Sequence, residues 1–341
     1  MFTTDTWMTL VYAAISFVLS TALGFLLIPL LKKWHFGQTI LTEYGPSWHA
    51  SKQGTPLMGG FLFMGSTLVV YLIFGFGFYK TGDVSSSGTV LPTGVMTGLI
   101  VSFLFALLGF ADDFIKATKK RNLGLTASQK LLIQILIGAV YLFTLALRTG
   151  NDTSMRIPFT DVRLELGFFY YVLALFMIVG FTNAVNLTDG VDGLCGTVTL
   201  PVMVFYSFAA LVAAQPLKEL SVVASALAGG ICGFLVFNWH PAKVFMGDTG
   251  SMFLGGMVVT MAFELDMPLM LIVVGFVYLA EALSVMIQVS YFKLTHGKRL
   301  FKMTPIHHHF ELSGYSEVKI VLLFSLVTLV LCVAGGLWLV L

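Results

Sequence analysis

Charge is what this chain has least of. Of its 341 residues only 11% are Asp, Glu, Lys or Arg, against about 25% in an ordinary soluble domain, while 57% are hydrophobic. That shortage excludes a soluble domain with a charged surface and implies a chain that lives in a lipid bilayer. Cysteine is also scarce. Cys195, Cys232 and Cys332 lie in apolar runs without ligand spacing, which argues against a disulfide framework or a cysteine metal cage and predicts inert burial. A basic leader is missing as well: "MFTTDTW" has no positive n-region and the apolar run behind it is too long for a cleavable signal, so it is expected to stay as a helix. No internal repeat is visible, which weakens an inverted-repeat transporter, and no low-complexity linker marks a second domain. The net charge of +2 gives no footing for nucleic acid, because the basic residues are accounted for by membrane topology.

What is present in quantity is long uncharged sequence. Stretches free of Asp, Glu, Lys and Arg cover 6–31, 53–79, 84–111, 131–147, 166–188, 193–217, 220–242, 249–263, 267–280 and 320–341. Most suffice for a helix to cross a hydrocarbon core that needs about 20 residues. The eighth is short, and the ninth is long enough only if Glu281 is accepted inside a helix continuing to Phe292. The expectation is an all-α, polytopic membrane protein of about ten spans, forming a single transmembrane catalytic domain over 1–341.

The positive-inside rule orients it. With the N-terminus outside, the inner loops hold Lys32, Lys33, Lys52, Lys116, Lys119, Lys120, Arg121, Lys130, Lys243, Lys293, Lys298, Arg299, Lys302 and Lys319, leaving Lys80, Arg148, Arg156, Arg163 and Lys218 outside. Both termini are then expected on the periplasmic side. The inner loops are too short for a separate soluble domain, so chemistry is expected at the cytoplasmic helix ends.

Acidic residues collect on that same face. "GFADDFIKATKKR" places Asp112 and Asp113 at the inner end of the third span, "NAVNLTDGVDGL" places Asp189 and Asp192 between the fifth and sixth, and "FNWHPAKVFMGDTGS" places Asp248 just before the eighth. Each carboxylate singly reads as a solvated helix cap. Together they say more. Adjacent like charges at a helix C-terminus are unfavourable unless a cation is near, and Asn186, Asp189 and Asp192 recur every third residue with Gly190 and Gly193 behind the two aspartates. Gly247 and Gly250 bracket Asp248 at a helix mouth, a place suited to anions. Carboxylates from several loops suit a hard divalent cation, Mg2+ in particular, held together with substrate phosphate oxygens. The lysines nearby complete a plausible phosphate-and-metal site, although topology explains each lysine alone.

"KMTPIHHHFELSG" carries His307, His308 and His309 on the same face. It could be a tag fragment, a metal site or part of an active centre. A tag in mid-loop is implausible, and adjacent side chains diverge too much to share one ion. A histidine can, however, donate to a phosphate oxygen. Within the membrane, Glu281 is a functional candidate by default, with a structural ion pair or hydrogen bond an equal reading. Gln288, seven residues on, lies on nearly the same helix face and is a candidate near the site.

The ordered set "KQGTPLMGG", "GFADDFIK", "NAVNLTDGVDGL", "NWHPAKVFMGDTGS" and "TPIHHHFEL" resembles the bacterial phospho-N-acetylmuramoyl-pentapeptide transferases. They are one branch of the superfamily that moves sugar 1-phosphates from uridine nucleotides onto polyprenyl phosphate. The resemblance covers essentially the whole chain, and the triple histidine followed by Phe310 and Glu311 points to that branch rather than to the N-acetylhexosamine branch. It implies the following roles. Asp112 and Asp113 pair near the polyprenyl phosphate, Asp248 binds Mg2+, and Asn186, Asp189 and Asp192 line the nucleotide site. Phe245 stacks on uracil, Lys52, Thr55, Lys116 and Asn238 serve phosphates or neighbouring polar groups, and His307, His308 and His309 contact the nucleotide sugar and phosphates. The implied substrates are undecaprenyl phosphate and UDP-MurNAc-pentapeptide, the implied location is the bacterial inner membrane, and a homodimer is what the family suggests. A secondary transporter remains the reading from another class. It would place its coupling carboxylates near the bilayer midplane, where only Glu281 is a candidate, and a purely structural scaffold leaves the gathering of these motifs unexplained.

Overall fold

In hydrocarbon every backbone N–H and C=O must find its partner within the protein, and the helix solves this within each apolar run. The computed structural model describes residues 4–33, 52–77, 93–119 and 124–341. Its elements are α1 (Thr4–Lys33), α2 (Phe61–Val70, continued by a π-helical turn Tyr71–Gly75), α3 (Gly94–Lys119), α4 (Ala127–Thr149), strands β1 (Ser154–Arg156) and β2 (Arg163–Glu165), α5 (Phe168–Thr188), α6 (Leu194–Val212), α7 (Lys218–Asn238), α8 (Gly247–Glu264), a 3-10 turn (Pro268–Met270), α9 (Leu271–Val274), α10 (Phe276–Leu294), the short α11 (Ile306–Glu311) and α12 (Glu317–Val340). The strands form one antiparallel hairpin with Met155 opposite Leu164.

Among the described residues eight helices are long and apolar enough to cross a membrane: α1, α3, α4, α5, α6, α7, α10 and α12. The eighth expected span, α8, has 18 residues, about 27 Å at 1.5 Å per residue. It is too polar to qualify by composition, and its surroundings explain why. Residues 249–263 are all buried, with α3 and α5 packed along the helix and α2 and α6 completing the wrap. A helix enclosed by protein is released from the need to be lipid-soluble. The outer helices show the converse, with Leu26, Phe143, Phe176 and Leu326 exposed to the surroundings.

Several boundaries differ from the expectation. The second span is helical only from Phe61, because 52–60 forms a loop whose Gly59 N–H and Gly60 N–H bond the carbonyls of Phe245 and Met246. The third continues to Lys119, so Asp112 and Asp113 lie inside α3 rather than at its end, and the unfavourable-dipole argument for them loses its force. The sixth stops at Val212. The ninth breaks at Gly275 between α9 and α10, and α10 carries Glu281 in its interior. Residues 78–92, with the end of the second expected span, the start of the third and Lys80, lie outside the described residues, as do Lys120 and Arg121.

Local signals set the remaining ends. Thr126 and Gln129 form a reciprocal capping box that starts α4, and Gly150 in a left-handed conformation stops it. Ser316 caps α12. At one end of the bundle Asp5 pairs with Lys218 and Arg148 with Glu264, and Arg156 lies over Trp338 near the end of α12. The start of α1 and the end of α12 are on this face. The carboxylates singled out in the sequence are at the other.

Candidate active site

α3, α4 and α8 converge first. Lys116 on α3 reaches Asp112 one turn back at 2.6 Å and Asp248 at the mouth of α8 at 3.1 Å. Lys130, in the first turn of α4, reaches the same Asp248 Oδ2 at 2.6 Å and Asp112 Oδ2 at 3.9 Å. The other oxygen of Asp112 accepts the N–H of Leu125 at 2.7 Å. Two ammonium groups thus stand between two carboxylates, and Asp112 is almost fully buried with both oxygens engaged.

Asp113 does something different. Its oxygens accept the backbone N–H of Asp248 at 3.2 Å and of Thr249 at 2.9 Å, together with the Thr249 hydroxyl at 2.7 Å. It is the N-terminal cap of α8, supplied from another helix. Gly247 makes the approach feasible: its φ is +71°, and a Cβ there would sit 2.6 Å from Asp113 Oδ2.

A second cluster forms around the turn from α5 to α6. Lys52 contacts Asp192 and Glu317 at 2.7 Å each. The other oxygen of Asp192 lies 3.1 Å from His240 Nδ1 and accepts the Ala242 N–H at 3.0 Å. Asn238 is buried, accepting the Gly193 N–H at 3.0 Å and donating to the Val244 carbonyl at 2.8 Å, so it staples this turn to the loop before α8. Asn186 accepts the Ser251 hydroxyl at 2.8 Å. Asp189 lies between the two clusters. Enclosure and the negative charges of Asp248, Asp113 and Asp192 push its carboxyl well above the usual carboxylate range.

The loop 52–60 and the segment before α8 pair through Phe245, whose N–H donates to the Pro56 carbonyl and whose carbonyl accepts from Gly59, both at 2.8 Å. The Phe245 ring and Thr55 are half-buried there. Across the site, Gln288 accepts the N–H groups of Leu300 and Phe301 at 3.1 and 2.9 Å, which pins the loop leading to α11. The three histidines diverge, as neighbours on a helix should. His307 is buried against Glu281, His308 pairs with Glu311, and His309 Nδ1 accepts the Lys302 N–H at 3.2 Å.

Three participants escaped the sequence reading as site residues: Lys130, His240 and Glu317. Lys130 had a usable signal, being a cation in the first turn of a helix, the wrong end for the dipole unless an anion faces it. His240 and Glu317 had none, since their partner Asp192 is 48 and 125 positions away.

The donor chemistry suits a divalent cation. Among the described residues the one trio with ligand atoms within 4.8 Å of one another is Asp192, His240 and Glu317, but the Lys52 ammonium already touches two of them. A further sign is at Asp189, which has no ion-pair partner among the described residues and faces the carboxylates of Asp248, Asp113 and Asp192, a place where a hard cation would offset negative charge.

A helical bundle of membrane-crossing length that gathers carboxylates, lysines and glycine turns at one end is the architecture of a polytopic membrane enzyme with its polar chemistry at a helix-end face. The family profile described as glycosyl transferase family 4 matches residues 95–266, which spans α3 to the end of α8 and includes Asp112, Asp113, Asp189, Asp192 and Asp248. Phospho-N-acetylmuramoyl-pentapeptide-transferase of Bacillus cytotoxicus is 46% identical over 96% of this chain and 98% of its own. The Carboxydothermus hydrogenoformans protein of the same name is 47% identical over 94% and 96%. The chain belongs to the phospho-N-acetylmuramoyl-pentapeptide transferases.

Proposed function

We propose that this site transfers phospho-N-acetylmuramoyl-pentapeptide from UDP-MurNAc-pentapeptide to undecaprenyl phosphate, yielding the lipid-linked pyrophosphate product and UMP. The observation that carries the reading is near-complete coverage by relatives of that name together with the Asp112–Lys116–Asp248–Lys130 network at one end of the bundle.

Two anionic substrates must approach each other in this reaction. Lys116 and Lys130 supply fixed positive charge where that repulsion arises. A phosphate monoester has a second pKa near 6, so the lipid nucleophile is mostly dianionic at pH 7 and has little need of a base. Asp112, with both oxygens engaged, fits an orienting role. Asp248 Oδ2 is occupied by two ammonium groups, which makes it a poor nucleophile and favours direct attack of the lipid phosphate on the β-phosphorus over an acyl-phosphate intermediate. Asp248 is the residue that would hold Mg2+, which would supply charge neutralisation on the leaving UMP phosphate. Asn186, Asp189, Asp192 and Lys52 bind the nucleotide portion, Phe245 stacks on the base, Thr55 and Asn238 serve polar neighbours, and His307, His308, His309 and Gln288 border the sugar phosphate. The concentration of lysines at this end supports a cytoplasmic-facing site in the inner membrane.

The test is UMP release by the purified protein in detergent with undecaprenyl phosphate and Mg2+. Release with UDP-MurNAc-pentapeptide, absent with UDP-GlcNAc and lost on chelation, is expected. Release with UDP-GlcNAc instead would move the chain to the N-acetylhexosamine branch.

A further inference from the structure

Buried carboxylates at this end of the bundle have strong partners: Asp112 an ammonium group, Asp113 the mouth of α8, Asp192 the Lys52 ammonium. Glu281 is different. It lies inside α10 with no exposed surface, and what faces it is His307, with Nδ1 3.1 Å from Oε1 and the backbone N–H 3.4 Å from Oε2. Burying a charge this deep is costly without compensation, so the pair sets strict limits on how the imidazole can sit. The first turn of α11 is thereby drawn down beside the middle of α10, some 13 residues before the end of that helix at Leu294.

The far side of the ring is equally constrained. His307 is fully buried, and its Nε2 has no hydrogen-bond partner among the described residues. It is directed at the glycine that follows Asp189. A Cβ at Gly190 would come within 2.3 Å of it, so only glycine leaves room for this approach. The ring is thus fixed between the Glu281 carboxylate, at ion-pair distance from Nδ1, and Gly190 of the Asn186–Asp189–Asp192 turn.

We propose that Glu281 is a positioning residue for the transfer reaction: its carboxylate, 3.1 Å from Nδ1 of His307, holds the ring against Gly190 and so keeps the Asn186–Asp189–Asp192 turn in the shape that receives the nucleotide sugar. This rests on the reading of that turn as the nucleotide site. Glu281 itself touches no substrate. Its effect is felt through the ring, and Gly190 is the third part of the device because only glycine lets the ring sit against the turn.

The experiment measures initial rates of UMP release for the full-length protein with Glu281→Gln, Glu281→Asp, His307→Ala, Asp189→Asn and the double variant Glu281→Gln/His307→Ala, resolving KM for each substrate and recording each melting midpoint. Glu281→Gln is expected to raise KM for UDP-MurNAc-pentapeptide about 10- to 100-fold, as loss of a carboxylate that orients a working imidazole does elsewhere. KM for undecaprenyl phosphate stays unchanged. Glu281→Asp, which keeps the carboxylate, recovers part of the loss, and the double variant is no worse than His307→Ala alone, since both changes remove one coupled function. Wild-type kinetics in Glu281→Gln with His307→Ala impaired, or losses that multiply in the double variant, would overturn the proposal. Wild-type kinetics in His307→Ala would overturn it too where Asp189→Asn is impaired, and wild-type kinetics in both would instead overturn the nucleotide reading of the turn on which it rests. Should Glu281→Gln unfold at the assay temperature, Gly190→Ala displaces the ring from the other side with Glu281 intact, and an unchanged KM for the nucleotide sugar there would equally overturn it.

Discussion

Asp112 and Asp113 are adjacent in sequence and unlike in role. Asp112 shares two lysines with Asp248, whereas Asp113 caps α8. Their substitutions should therefore separate. Replacing Asp113 with Ala removes acceptors from two backbone N–H groups and the buried Thr249 hydroxyl, at a cost of about 1–3 kcal/mol, and the melting midpoint in detergent should fall accordingly. Asp248→Asn leaves that cap intact and removes the charge the lysines surround. It should remain folded at the assay temperature and abolish UMP release. Near-normal release with undiminished Mg2+ dependence would sink the metal role given to Asp248.

At the scale of the element, α8 is the axis of the molecule, and its two charged ends are treated oppositely. Asp248 opens onto the site. Glu264, at the other end, takes a bidentate grip from Arg148 at 2.9 and 2.6 Å and the Tyr141 hydroxyl at 2.9 Å. The latter pair is about nine-tenths buried, so breaking it leaves a charge without its counterpart and costs about 3–5 kcal/mol. Glu264→Gln should therefore melt markedly earlier and yet, per folded molecule, release UMP at the wild-type rate. A proportional loss of specific activity would show that the far end is coupled to the site. The same helix shows how far the sequence could be read. "GDTGS" marked a helix mouth because glycines and an acid standing before an apolar run have few other uses, and 249–263 was legible as an apolar helix despite its shortness. The sharing of Asp248 by Lys116 and Lys130 was out of reach, because it depends on how α3 and α4 dock on α8, and side chains more than 100 positions apart leave no local pattern. Glu281 illustrates the middle case. Its rarity inside a span flagged it, but its partner is 26 positions away and reaches it only because the loop pinned by Gln288 returns α11 to the side of α10.

For the whole molecule the question is which way the bundle faces. Site chemistry and its lysines lie at one end, while the β1–β2 hairpin, the Arg148–Glu264 pair, the start of α1 and the end of α12 lie at the other. A uridine nucleotide substrate is cytoplasmic in origin, and the lysine bias supports the same proposed orientation. The orientation is measurable with single added cysteines. Lys298 lies exposed in the loop after α10, and Asp161 lies exposed at the tip of the hairpin. Cys195 and Cys332 are buried and Cys232 half-buried, so the unmodified chain gives the background. A membrane-impermeant maleimide applied to intact spheroplasts should label Asp161→Cys but leave Lys298→Cys unlabelled until the membrane is broken. The reverse pattern would invert the topology and place the carboxylate–lysine site where no uridine nucleotide reaches it.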